Sequence, residues 1–341
     1  FEMLAKGETV GLFQLNGDGM TRFLMELKPT EIHDINAMVA LYRPGPMESI
    51  PQYIERKHDP KLIKYLDPRM KEYLERSNGL LVYQDDVMLT AIKLAGYSWL
   101  DADKLRKAMG KKIPAVMAAE KEKLMKGLIS NGLAEKKAEE LWLLIEPFAA
   151  YGFNKAHAAS YGKVAYQTAY MKANYPAIYM SAVLTAESGD VEKIAEIIDE
   201  CKRMKIPVLP PDINHSFEGF GVNKGKTLEE QDTIRFGLTT IKNFGEGVAV
   251  SIVEERKANG EFKSLSDFLR RIKDKNLNKK SLEALIKTGA MDSFGERSTL
   301  LHNLDRLLQF NKEQREQAKD QTSLFGSAEI KDTDIHLEKT E

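Results

Sequence analysis

Several things are scarce in this 341-residue sequence, and each scarcity excludes something. Cys201 is the only cysteine, which rules out an intramolecular disulfide and a Cys-based zinc cluster and fits a reducing cytoplasm. No uninterrupted apolar run reaches the length of a membrane span, so no membrane partner is expected. Net charge is nearly absent, at −1, which argues against a uniformly basic nucleic-acid binder. There is no P-loop and no G-x-S-x-G nucleophile elbow. His33, His58, His215, His302 and His336 show no metal-ligand spacing. The first residues, FEMLAKGETV, lack both an initiator Met and the basic region of a signal peptide, and read as a start made within a domain.

With 43% apolar and 30% charged residues, the chain has the composition of a globular protein with room for two or three compact units. Residues 1–205 read mostly as helix, with apolar residues recurring at spacings of three and four. Asn16-Gly17 and Arg43-Pro44-Gly45-Pro46 mark tight turns. The segment from His157 to Asn174 ends before Pro176, as a helix should. The prolines of IPVLPPDIN (206–214) mark a boundary, and TIRFGL (233–238) alternates like a short strand. Residues 241–305 are helical again, and about 311–341 reads as a polar linker or frayed tail.

YQDDVM (83–88) imitates the Tyr-x-Asp-Asp by which reverse transcriptases hold two metal ions. Here Asp85-Asp86 runs directly into VMLTAIKLAGY, an amphipathic helical pattern with no second strand. Two acids in a first turn are what the helix dipole favours, so the stretch is expected to be a helix start.

Four other stretches carry possible chemistry. KLRKAMGKK (104–112) holds five cations and no acid, with Gly110 expected to end the turn before Lys111 and Lys112. A solvated helix end is the bland reading; a polyphosphate clamp, with Arg106 as fork and Lys107 as point charge, is the functional one. In YGFNKAHAASYGKVAYQTAY (151–170) a helix starting near Asn154 puts His157 and Tyr161 one turn apart, with Lys155 at its N-terminus. That face could meet phosphate, sugar and base, or its tyrosines could simply pack in the core. IKNFGEGVAVSIVEER (241–256) has the hydrophobic-Gly-x-Gly of a helix–hairpin–helix, in which Phe244, Gly245, Gly247 and Val248 would bring backbone N–H groups to a phosphate. LIKTGAMDSFG (285–295) reads as a degenerate second copy. Gln321, Leu324 and Phe325, in QTSLF, form a short docking peptide or a tether onto the chain's own surface.

Together these motifs resemble the bacterial DNA polymerase III alpha subunit, a C-family replicative polymerase. The likeness runs through GLFQLNGDGM (11–20), ALYRPGPM (40–47), GLLVYQDDVM (79–88), ADKLRKAMGKK (102–112), residues 151–177, LPPDIN (209–214), IKNFGEGV (241–248) and LEALIKTGAMDSFG (282–295). The resemblance implies a mainly α fold: fingers over 1–210, a connecting segment with a short strand over 211–240, tandem helix–hairpin–helix units over 241–305, and a linker with a clamp-binding peptide at 321–325. It implies that Arg106, Lys107, Lys111, Phe153, Asn154, Lys155, His157 and Tyr161 face the incoming dNTP. Phe153 and His157 would lie beside its sugar, and Gln321, Leu324 and Phe325 would dock the sliding clamp. Other replicase subunits and primer–template DNA are the further implied partners. The implied cofactor is Mg²⁺, held by palm aspartates that precede this region in the family, so the chain is expected to be inactive alone. Lys107 stands where a second Arg is usual, Asn16-Gly17 where Glu-Ser is usual, and Asp85-Asp86 where Glu-Gln is usual. The alternatives are a stand-alone DNA- and clamp-binding module and a repair enzyme sharing the hairpin, for which Lys263 or Asp267 would be the catalytic candidates.

Overall fold

The computed structural model describes residues 1–111, 113–148, 152–225, 227, 231–320 and 335–338. The chain divides into two units, residues 1–173 and 174–341.

In the first unit the described residues form helices α1 (Glu2–Ala5), α2 (Asp18–Leu27), α3 (Ile32–Leu41), α4 (Ile50–His58), α5 (Lys71–Leu74), α6 (Gln84–Ala95), α7 (Trp99–Lys111), α8 (Pro114–Ser130), α9 (Glu135–Phe148) and α10 (Lys155–Asn174). Leu94, Leu105, Leu124, Leu128, Leu141 and Trp142 from α6 to α9 share one core. Gly127 of α8 lets that helix cross α6 closely: a Cβ there would sit 2.4 Å from the Ala95 carbonyl oxygen. Lys172 of α10 is wholly buried, and its ammonium donates to the Glu8 and Val10 carbonyls at 3.0 and 2.8 Å. A buried ammonium is tolerated only when it is hydrogen-bonded in this way.

α7 does not stop where the glycine suggested. It runs through Gly110 to Lys111, and the next helix opens with Pro114 at its first position. An interior glycine weakens a helix by only about 1 kcal/mol relative to alanine. Proline at the start of α8 disfavours helical geometry at Ile113, and that is the effective stop.

The second unit contains α11 (Pro176–Ala186), α12 (Val191–Arg203), α13 (Glu246–Asn259), α14 (Leu265–Arg271), α15 (Lys279–Lys287), α16 (Arg297–His302) and α17 (Leu304–Asp320). It also holds a small sheet in the order β1 (Val208–Leu209), β3 (Thr233–Arg235), β2 (Gly221–Asn223). β1 pairs parallel to β3, and β2 antiparallel to it. Met180, Leu184, Ile197 and Cys201 pack with Ile234 of β3, so α11 and α12 share a core with the sheet. The compact division therefore falls after residue 173, whereas the sequence suggested a boundary near 210.

α13 to α17 enclose a second core around Ile252, Phe268, Leu285 and Leu307. The expected tail begins later than the composition suggested, because α17 is helical to Asp320. Residues 335–338 also return to this core: Ile335 and Leu337 pack on it. The Glu338 N–H donates to Asn303 Oδ1 at 3.0 Å, and Asn303 Nδ2 donates to the Glu338 carbonyl at 2.9 Å. Among the described residues no helix is long and apolar enough to cross a membrane.

Candidate nucleotide and DNA interfaces

The two acids of YQDDVM have backbone work. Tyr83 ends extended and α6 begins at Gln84, so the stretch is a helix start. Asp86, fully buried, accepts the N–H groups of Val82 and Tyr83 at 3.0 and 2.8 Å. Burial pushes its carboxyl up to about 6, against the two amides and Lys155, which favour the charged form. Asp85 instead accepts the backbone N–H of Lys155, at 3.1 Å. Neither arrangement resembles a metal clamp. Among the described residues no group of three or more His, Cys, Asp and Glu side chains could hold a metal ion. Asp85 and Asp86, both engaged by backbone N–H groups, do not fit a catalytic Mg²⁺.

The same turn ties α6 to the start of α10. Tyr83 and Phe153 form an isolated parallel bridge, Gln84 N–H donates to the Phe153 carbonyl at 2.9 Å, and Gln84 Nε2 donates to the Gly152 carbonyl at 2.8 Å. Asn154 then caps α10, its Oδ1 accepting the His157 N–H at 2.8 Å. From that cap an aromatic series climbs the helix. Phe153 and His157 rings lie 5.2 Å apart, His157 and Tyr161 4.1 Å, and Tyr161 and Phe13 5.4 Å. The Arg43 guanidinium covers Phe153 at 4.4 Å, and partial burial lowers its pKa. His157 is exposed and Tyr161 half-buried, so this face is not a packed interior.

Arg106 meets the same junction, lining a small cavity with Gln84, Val87, Met109 and Gly152. Its guanidinium is held by Asp103 one turn earlier, at 2.7 Å, and Lys107 pairs with the same carboxylate at 2.7 Å. Those two cations hold Asp103 below the usual carboxylate range. Lys111, exposed, is the last residue of α7. The structure thus sets Phe153, Asn154, Lys155, His157 and Tyr161 along the start and first two turns of α10, with Arg106 beside Gly152 just before them, and adds Arg43, Gln84 and Phe13. Asp103 could have been found from its spacing to Arg106 and Lys107. The roles of Gln84 and Phe13 depend on contacts distant in sequence, which no local pattern signals.

At the hairpin, Phe244 and Val248 are core residues, 7% and 1% exposed, so neither side chain can touch DNA. They anchor the turn. Lys242, Asn243, Gly245 and Gly247 are exposed, and Asn243 takes a left-handed φ of 67°. α13 opens at Glu246, with its N-terminal N–H groups beside the two glycines. Glu246 itself, and the Asp274 carboxylate near Gly247, oppose an anion there. In the second copy α15 ends at Lys287, Gly289 has a φ of 82°, and Arg297 of α16 pairs with Asp292 at 2.6 Å. Gln321, Leu324 and Phe325 lie outside the described residues.

Residues 1–132 match the bacterial DNA polymerase III alpha subunit finger domain, and residues 205–300 match the helix–hairpin–helix motif. The chain is 46% identical over 324 residues to the DNA polymerase III subunit alpha of Thermus aquaticus, covering 94% of this chain and 26% of that protein. Against the Borreliella burgdorferi protein of the same name it is 45% identical over 334 residues, covering 97% of this chain and 28% of the relative. The Deinococcus radiodurans protein is 43% identical over 316 residues, covering 91% and 23%. The chain spans about a quarter of the length of these relatives. It belongs to the bacterial DNA polymerase III alpha-subunit family, matching that family's finger domain and helix–hairpin–helix region.

Proposed function

We propose that the chain serves DNA-templated dNTP incorporation in a bacterial replicative polymerase, as the part that receives the nucleotide and grips DNA. The observation that carries this reading is the junction at Gln84. It sets the Arg106 fork beside Gln84 and Gly152, and the Asn154 cap, Lys155, the exposed His157 ring and the half-buried Tyr161 ring along the first two turns of α10 that follow. A cation and N–H groups suit a triphosphate, and an imidazole beside a phenol suits a sugar and base. The contribution of these residues is positioning and charge neutralisation, which is how proteins chiefly assist phosphoryl transfer. The bond-making carboxylates are not among the groups assigned here. The chain alone is expected to give no primer extension, since Asp85 and Asp86 are engaged with backbone N–H groups.

The exposed backbone at Gly245 and Gly247 supports duplex binding by the hairpin through phosphates. A sliding clamp is the partner proposed for Gln321, Leu324 and Phe325 on sequence grounds. Replacing Arg106 with Ala in the intact polymerase tests the nucleotide role: the KM for dNTP should rise and incorporation should slow, and unchanged kinetics would overturn it. The second reading, a non-enzymatic DNA- and clamp-binding module, is favoured by the hairpin alone. It gains if the chain binds duplex DNA with a steep salt dependence while showing no dNTP binding.

A further inference from the structure

Asp86 is wholly buried, yet its two carboxylate oxygens are unequally served. Oδ2 accepts the Val82 and Tyr83 N–H groups, whereas Oδ1 is buried without a hydrogen-bond partner. The cation facing Oδ1 is Lys155 Nζ at 3.9 Å, too far for a hydrogen bond. A buried carboxylate oxygen with no donor is costly to ionise, so this ammonium is its compensating charge. The Lys155 side chain lies over the Tyr83 ring at 5.3 Å and lines a small cavity with His33, Tyr73, Arg76 and Tyr83. Asp85 holds the Lys155 backbone N–H separately, so the start of α10 stays fixed whichever way the side chain turns. That side chain is 45% exposed and can swing toward a ligand.

Arg106 and Lys107 offer a contrast. They share Asp103, which they hold below the usual carboxylate range, so their counter-ion stays charged at every working pH. Burial instead pushes the Asp86 carboxyl up to about 6, with Asp85 the other acid beside it. Burial also raises the neighbouring Tyr73 and Tyr83 phenols, which stay neutral. His33 and Arg76 line the cavity that Lys155 enters, and His157 stands two residues along α10.

We propose that Asp86 is a positioning residue for Lys155, drawing the ammonium over Tyr83 and so setting how readily it reaches an incoming triphosphate. The inference rests on the assignment of Lys155 to the nucleotide face. A charged Asp86 competes with the triphosphate for one cation, and a neutral Asp86 does not. The coupling is reciprocal: a nucleotide that draws Lys155 away raises the affinity of Asp86 for its proton. Binding of dNTP therefore takes up a proton at Asp86 and weakens as the pH rises through about 6.

Steady-state dNTP incorporation by the intact polymerase, measured from pH 5 to pH 8, tests this with Asp86→Asn and Lys155→Ala. The ratio of the parent KM to the Asp86→Asn KM cancels the titration of the nucleotide itself. It should lie near one at pH 5 and reach about threefold or more by pH 8, an effect on KM and not on kcat. A merely structural Asp86 would instead lower kcat and raise KM at every pH. A ratio that is flat with pH, or a KM raised by Asp86→Asn, overturns the proposal. Lys155→Ala needs no change at Asp86: its KM, relative to the parent, should be raised more at pH 5 than at pH 8. Equal increases at both pH values overturn the proposal while leaving Lys155 on the nucleotide face. No increase at either overturns both the proposal and that assignment.

Discussion

The Asp85 carboxylate accepts the backbone N–H of Lys155 at 3.1 Å, so the first turn of α6 holds the first turn of α10 across seventy residues of sequence. An asparagine keeps an acceptor at this position. Asp85→Asn should therefore change stability by less than about 0.5 kcal/mol, whereas Asp85→Ala should lose about 1 kcal/mol. Denaturant unfolding of the two variants distinguishes them. A collapse of polymerase turnover in Asp85→Asn would return the residue to metal chemistry.

Asp86 makes the first unit sensitive to pH. Its carboxyl stands at about 6 rather than 3.8, so the folded chain holds that proton more tightly than the unfolded chain. The resulting stability is fully present below about 4 and is lost as the pH rises through about 6. The difference corresponds to about 3 kcal/mol at most. In Asp86→Asn the melting temperature of this unit should lose that downward slope. A slope unchanged from the parent would assign it to another group.

Lys172→Met keeps most of the buried volume but strips a charged donor from the Glu8 and Val10 carbonyls. A loss of about 1.5–3 kcal/mol is expected in equilibrium unfolding. A neutral result would mean that the loop around these carbonyls opens to water.

Gly127→Ala drives a methyl group into the Ala95 carbonyl of the facing helix, which cannot move aside as a flexible side chain would. Destabilisation of about 1–3 kcal/mol should follow. Gly110→Ala is the control. A Cβ there meets nothing within 4 Å, and the change should stabilise α7 by up to about 1 kcal/mol. Thermal melts of both variants make the comparison.

Local chemistry made much of this legible in the sequence. The acids of Asp85-Asp86 announced the start of α6, and Asn154 announced the cap of α10, because capping and dipole effects act within one turn. The hydrophobic-Gly-x-Gly stretch marked the hairpin, but it could not say that Phe244 and Val248 face the core. That depends on α13 packing against distant helices. Gly110 misled because an interior glycine is only a weak stop, whereas Pro114 is a strong one. The cavity lined by His33, Tyr73, Arg76 and Lys155 was invisible for a different reason: its residues come from four separate stretches, each ordinary by itself.

The return of Ile335 and Leu337 to the core of α13–α17 bears on how this protein should be handled at the bench. A chain cut after Asp320, at the end of the last long helix, would bare the apolar seat of both side chains and leave Asn303 without its Glu338 partners. Freshly exposed apolar surface of that kind invites self-association. A shortened form intended for crystallisation or spectroscopy should keep Glu338. One that ends at the helix is expected to precipitate sooner on heating.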